Sequence, residues 1–269
     1  MDQPTISLLA EAANEVWTNI ERTIDLLGED DWGRPTPCVG WDVRDVLSHL
    51  GHAEGLLVHG FPQPEPPSES VATGSPLDQM TNQGVAARRS WPFTQVVDEV
   101  RRAADATRTL LTGPDLDWEA PCMTPVGPSP RRLATELRVT DLVVHLIDIR
   151  TALGLPLDQG EESSAVAVAV GRAVRLTPWA WVKRARAAEG QSLQLGLTGP
   201  GAGTHTVVVN EGRAVAGSAD DSPDASIRGA GLAYLLAVTG RHGLVAAGGG
   251  LVTRGELARV LLESYRLVG

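Results

Sequence analysis

Between positions 5 and 27 the apolar residues Leu9, Ala12, Ala13, Val16, Ile20, Ile24 and Leu27 recur at three- and four-residue steps, which places them on one face of an α-helix. GEDDWGRPTPCVGW, residues 28–41, then scatters glycine and proline through the chain and ends the pattern. Helical spacing returns over about 42–59, with Asp42 as the expected N-cap, since its carboxylate can accept a first-turn backbone N–H. FPQPEPPSESVATGS, residues 61–75, is rich in proline and serine and reads as an extended connection, long enough to shape the mouth of a substrate pocket. A third helical region spans about 76–112, interrupted near Trp91-Pro92 because proline disfavours helix in the residue before it. The fourth covers about 131–153 and stops at Gly154 and Pro156. Four amphipathic helices with one long crossover predict a helix bundle, an architecture that builds its sites between facing helices.

Beyond Pro156 the pattern changes. An Ala/Val-rich helix at 161–188 precedes the short runs LQLGLTG, THTVVVNEG and RAVAGSA, punctuated by glycine and read as small antiparallel strands. DASIRGAG adds a further strand, and LAYLLAVTGR and TRGELARVLLESYRLV are expected to be helices. The predicted class is therefore α plus α+β, with a four-helix bundle over residues 1–158 and a smaller α+β domain over 159–269. The length of 269 residues agrees with two domains at roughly 150 residues each.

Composition narrows the function. The chain carries a net charge of −10 with its basic residues dispersed, which disfavours a nucleic-acid partner. No apolar run approaches the ~20 residues that span a bilayer, and MDQPTISLLAEAANEVW lacks the layout of a secretion signal, so no membrane association and a cytoplasmic location are expected. Cys38 and Cys122 have no CxxC partner and are expected to be free thiols. Trp17, Trp32, Trp41 and Trp91 are read as packing residues, and His59, His205 and His242 have no partner at ligand spacing. The glycine-rich stretches fit neither phosphate-binding pattern, which sets nucleotide binding aside.

The candidate chemistry lies in TDLVVHLIDIRTALG, residues 140–154. On a helix Asp141 and His145 are one turn apart on one face, and Asp148 follows His145 by three residues. Apolar neighbours at 142, 143, 144, 146, 147 and 149 make the surroundings dry, where an unsatisfied polar group costs roughly 1 to 3 kcal/mol. Two readings are open: a hydrogen-bonded His–Asp pair in the core, or a metal site. His49, beside the apolar stripe of the second helix, favours the second, with His52 nearer the edge of that stripe. Two histidines and one carboxylate around an open position are a catalytic zinc set, so His49, Asp141 and His145 are the preferred ligands. Asp148 is then either an acceptor that orients an imidazole or an acid on the helix surface.

These residues carry a resemblance. RPTPCVGWDVRDVLSHL, TPVGPSPRRLATELRVTDLVVHLIDIRTALGLP and GAGLAYLLAVTGRHG, in that order, resemble the mycothiol-dependent maleylpyruvate isomerase-like proteins of the DinB superfamily over nearly the whole chain. The resemblance implies a DinB-like four-helix bundle that holds a divalent metal, usually zinc, and a C-terminal α+β domain similar to sterol-carrier folds. The family's histidine after a leading tryptophan falls on His49, with Trp41 leading. Its Glu-x-x-x-His falls on Asp141 and His145, so the acid here is one methylene shorter. A Gly-Arg pair falls on Gly240-Arg241, and the planar fork of Arg241 suits a substrate carboxylate in catalysis alongside Asp148. Arg88 and Arg89 are expected to help bind the cosubstrate in the same way. The implied activity is zinc-dependent activation of mycothiol for isomerisation of, or sulfur transfer to, a small electrophilic metabolite, by a monomer or homodimer. The rivals are a metal-free module that binds a small molecule and a hydrolase that uses zinc-bound water.

Overall fold

The computed structural model describes residues 3–55, 76–124, 127–157, 162–217 and 222–267. The expected crossover at 61–75 and His59 lie outside the described residues. The chain divides into two compact units, one made of Ile6–Pro156 and the other of Met1–Thr5 with Leu157–Gly269.

In the first unit, α1 (Ile6–Ile24), α2 (Val43–Glu54), α4 (Phe93–Leu111) and α5 (Arg131–Ala152) form the bundle, and α3 (Pro76–Ala86) packs on α2. Helices α1 and α2 each pack against both α4 and α5, so the four close a ring around one core. The buried face of α1 is the one its spacing predicts: Leu9, Ala12, Ala13, Val16, Ile20 and Ile24 are all buried. Asp42 caps α2, its Oδ1 accepting from the Asp45 backbone N–H at 2.8 Å. The expected break near Trp91-Pro92 separates α3 from α4. α5 is the central helix, with every residue from Val139 to Ile149 buried. It ends where Gly154 turns to φ +67, a conformation costly to residues with a Cβ. Gly154 N–H then donates to Thr151 O and Leu155 N–H to Arg150 O, satisfying the last carbonyls. A two-residue hairpin, β1 (Pro121–Cys122) with β2 (Ser129–Pro130), leads into α5; periodicity cannot reveal strands this short.

The second unit holds a five-stranded sheet in the order β5-β4-β3-β6-β7. Its strands are β3 (Ser192–Thr198), β4 (Gly203–Asn210), β5 (Arg213–Ala216), β6 (Ala225–Ala230) and β7 (Leu251–Arg254). α6 (Ser164–Lys183) packs on α7 (Gly231–Val238) and on β4 and β5, while α8 (Glu256–Ser264) packs on β6 and β7. The run β3-β4-β5 is antiparallel as expected, but β6 runs parallel to β3, which makes the sheet mixed. The last expected helix is also shorter: Leu251–Arg254 pair with β6 as an edge strand, and the helix starts only after Gly255 at φ +87. Among the described residues no helix is long and apolar enough to cross a membrane.

Candidate metal centre

Three side chains from two facing helices of the bundle meet in its core. His49 comes from α2, and Asp141 and His145 come from successive turns of α5. His49 Nε2 is 3.1 Å from Asp141 Oδ2, and His145 Nε2 is 3.7 Å from Asp141 Oδ1. The candidate ligand atoms of all three lie within 4.8 Å of one another, and all three residues are buried. Donors about 2.1 Å from a tetrahedral ion stand about 3.4 Å apart, close to the 3.7 Å between His145 Nε2 and Asp141 Oδ1. The donor set therefore fits a small divalent cation, and the shorter acid reaches the cluster.

The surroundings fix both imidazoles. His145 Nδ1 is 3.0 Å from Asp148 Oδ2, which directs Nε2 toward Asp141. Asp148 is fully buried, so of its two expected readings the surface acid is excluded and the orienting acceptor matches the geometry. Trp41 stands beside both rings, with centroids 5.1 Å from His49 and 5.9 Å from His145. The loop that carries Trp41 is tied down by Thr36, whose Oγ1 donates to Trp41 O at 2.9 Å and accepts from the Cys38 N–H at 3.2 Å. Cys38 thereby comes close to His145 and Asp148, forming a second trio of donor atoms within 4.8 Å of one another.

The electrostatics suit a cation. Burial pushes His49 down to about 4, against the opposing pull of Asp141, so its imidazole is neutral at neutral pH. Burial would raise the Asp141 carboxyl, but His49, Arg138 and His145 together outweigh it and hold the group well below the usual carboxylate range. Arg138, whose Nη1 donates to Asp141 Oδ2 at 2.8 Å, sets a permanent positive charge beside that carboxylate.

The remaining expected site residues each have partners of their own. Arg88 is fully buried in a two-pronged pair with Glu99 at 2.6 and 2.7 Å, which occupies its fork within the bundle. Arg89 is paired with Asp45 at 2.8 Å but keeps a largely exposed side chain. It lines a cavity of about 560 Å³ together with Trp32, Thr36, Trp41, Arg44 and Asp45. Trp41 thus walls both this cavity and the histidine cluster. Arg241 belongs to the C-terminal unit, where it is buried and its Nη1 donates to Thr239 O at 2.6 Å. His52 is buried instead of lying at an edge, because Gly84 of α3 leaves room for its ring. Trp41, expected as packing and as the leading tryptophan of the family motif, and Cys38, expected as a free thiol, both stand beside the cluster, and Arg138 and Glu54 join it without a prior expectation. A signal for Arg138 was present, since it precedes Asp141 by one helical turn.

The family model described as the mycothiol maleylpyruvate isomerase N-terminal domain matches residues 13–150. Two solved structures share the fold. The crystal structure of the mycothiol-dependent maleylpyruvate isomerase is 16% identical, with a TM-score of 0.50 over 94% of this chain and 95% of that one. The crystal structure of a histidine-to-alanine mutant of the mycothiol-dependent maleylpyruvate isomerase is 14% identical, with a TM-score of 0.56 over the same shares. No curated protein matches.

Proposed function

Because the chain belongs to the mycothiol maleylpyruvate isomerase N-terminal domain family, we propose that it is a metal-dependent enzyme using a low-molecular-weight thiol, mycothiol, to isomerise a small electrophilic metabolite. The observation that carries this reading is the buried convergence of His49, Asp141 and His145 from two helices. These three residues would hold a divalent ion, with zinc the best match to two imidazoles and one carboxylate. When bound, such an ion favours thiolate over thiol near neutral pH and so supplies the nucleophile.

The chain's own residues do the rest. Asp148 holds His145 in the tautomer that keeps its proton on Nδ1 and leaves Nε2 free to ligate. His49 meets the same requirement because burial keeps it neutral. Trp41 stands beside the two imidazoles and also lines the open cavity, where Arg44, and Arg89 held on Asp45, place positive charge for an anionic substrate group. Arg241 remains a candidate for carboxylate recognition in the C-terminal unit. In the reaction class, the sulfur adds to one carbon of a conjugated double bond, the resulting single bond rotates, and elimination of the same sulfur restores the double bond in the new geometry and returns the thiol. A substrate with a leaving group on that carbon would instead retain the sulfur, giving transfer.

The test has two parts. Metal analysis of protein purified without chelators is expected to give about one divalent ion per chain, lost in His49→Ala and His145→Ala. Conversion of a cis-configured conjugated oxo acid is then followed with and without mycothiol. Turnover that needs the thiol and returns it unconsumed supports the reading, whereas equal conversion without thiol would identify a hydrolase or a thiol-independent enzyme.

A further inference from the structure

Asp141 is the short member of the donor set, and a short acid has little freedom to find an ion. What aims it is a buried relay through three helices. Thr107 of α4 donates from Oγ1 to Glu54 Oε1 at 2.7 Å. Arg138 of α5 donates from Nε to Glu54 Oε2 at 2.9 Å, and from Nη1 to Asp141 Oδ2 at 2.8 Å. Glu54 is the last residue of α2, so the relay ties α4 to the two helices that carry the cluster. All four side chains are buried. Charge-assisted bonds between a planar guanidinium and two carboxylates in such a place are strong and directional.

The two oxygens of Asp141 are consequently unequal. Oδ2 accepts from Arg138 and lies 3.1 Å from His49 Nε2, while Oδ1 stands on the His145 side, 3.7 Å from Nε2 and beyond hydrogen-bond reach. We infer that Arg138, anchored by Glu54 and Thr107, is the positioning residue of the metal centre: it retains Oδ2 of Asp141 and so presents Oδ1 to the ion. In this assignment Arg138 acts on the ion through Asp141, to which its Nη1 donates. The inference rests on the metal reading above and adds to it a residue that determines how the carboxylate binds.

A merely structural ion pair would stabilise the bundle without affecting ion affinity in protein that is folded. The two are separated by titrating the metal-free full-length protein with Co²⁺ against a chromophoric chelator, recording the visible Co²⁺ bands, and checking fold by circular dichroism. Arg138→Met is expected to bind Co²⁺ roughly 10- to 100-fold more weakly than wild type, with altered bands, and Arg138→Lys to fall between, since it keeps the charge but loses the fork. Folded Arg138→Met with wild-type affinity and an unchanged spectrum overturns the inference while leaving the metal reading intact. If Arg138→Met does not fold, Glu54→Gln decides: several-fold weaker binding supports the inference, and unchanged binding overturns it. Wild-type protein that binds no Co²⁺ fails the metal reading, and this inference falls with it.

Discussion

Asp148 shows how one buried acid sets the chemistry of its neighbour. Its carboxylate is fully buried beside His145 Nδ1, so the imidazole can neither rotate nor exchange tautomers freely. Asp148→Asn keeps the shape and, with its carbonyl oxygen turned to Nδ1, one acceptor, but loses the charge that raises ligand basicity. It is expected to weaken metal binding about tenfold with little change in helix content, checked by chelator competition and circular dichroism. Asp148→Ala removes the acceptor as well and should also lower stability by about 1 to 3 kcal/mol in denaturant titration, because a buried N–H is left without a partner. The contrast between Asp148 and Asp141 was only half legible in the sequence. Spacing placed both on the helix face of His145, but which acid meets which ring nitrogen depends on side-chain rotamers and on Arg138, and neither leaves a periodic trace.

Elements were legible where the hydrophobic period was long. α1, α2, α4 and α5 followed from three- and four-residue spacing, and the stops at Pro92 and Gly154 followed from backbone chemistry. β7 was not, because Leu251–Arg254 is too short to show alternation and its identity as a strand depends on pairing with β6, remote in sequence. Nor could spacing along α2 show that His52 is buried, since the residue that makes room for it is Gly84 on α3. A Cβ placed at Gly84 would lie 2.1 Å from the His52 ring, far inside contact distance. Alanine normally favours a helix over glycine by about 1 kcal/mol, yet here Gly84→Ala should destabilise by about 1 to 3 kcal/mol, because the clash outweighs propensity. The double variant His52→Ala/Gly84→Ala removes the clash and should recover part of that loss, measured by the denaturant midpoint against each single variant.

At the scale of the whole molecule the two units carry different probes of their integrity. Tyr234 and Tyr265, the chain's two tyrosines, are both buried in the C-terminal unit. Tyr234 exchanges a hydrogen bond with Thr177 at 2.6 Å, and the Tyr265 hydroxyl donates to Ala173 O at 3.1 Å. Burial raises both hydroxyls well above their ordinary value of 10.0. A folded-state value above the unfolded one means that stability is intact below pH 10 and drains away as pH rises beyond it, since only the unfolded chain ionises there. Tyrosinate absorbance should therefore stay absent at pH 10 and rise for both residues together with loss of the unit's tertiary signal; a normal titration at pH 10 in folded protein would contradict the burial. The metal set lies in the other unit: His49, Asp141, His145, Asp148, Arg138 and Glu54 all belong to Ile6–Pro156. Everything argued to hold and orient the ion lies within one bundle whose core closes among α1, α2, α4 and α5. A fragment of residues 6–156 is accordingly expected to fold as helix and to bind one Co²⁺ within about threefold of the full chain, since the whole donor set and its relay belong to that unit. A helical fragment that binds none, beside a full chain that binds one, would mean that the C-terminal unit contributes to the ion's surroundings and that the bundle alone is an incomplete site.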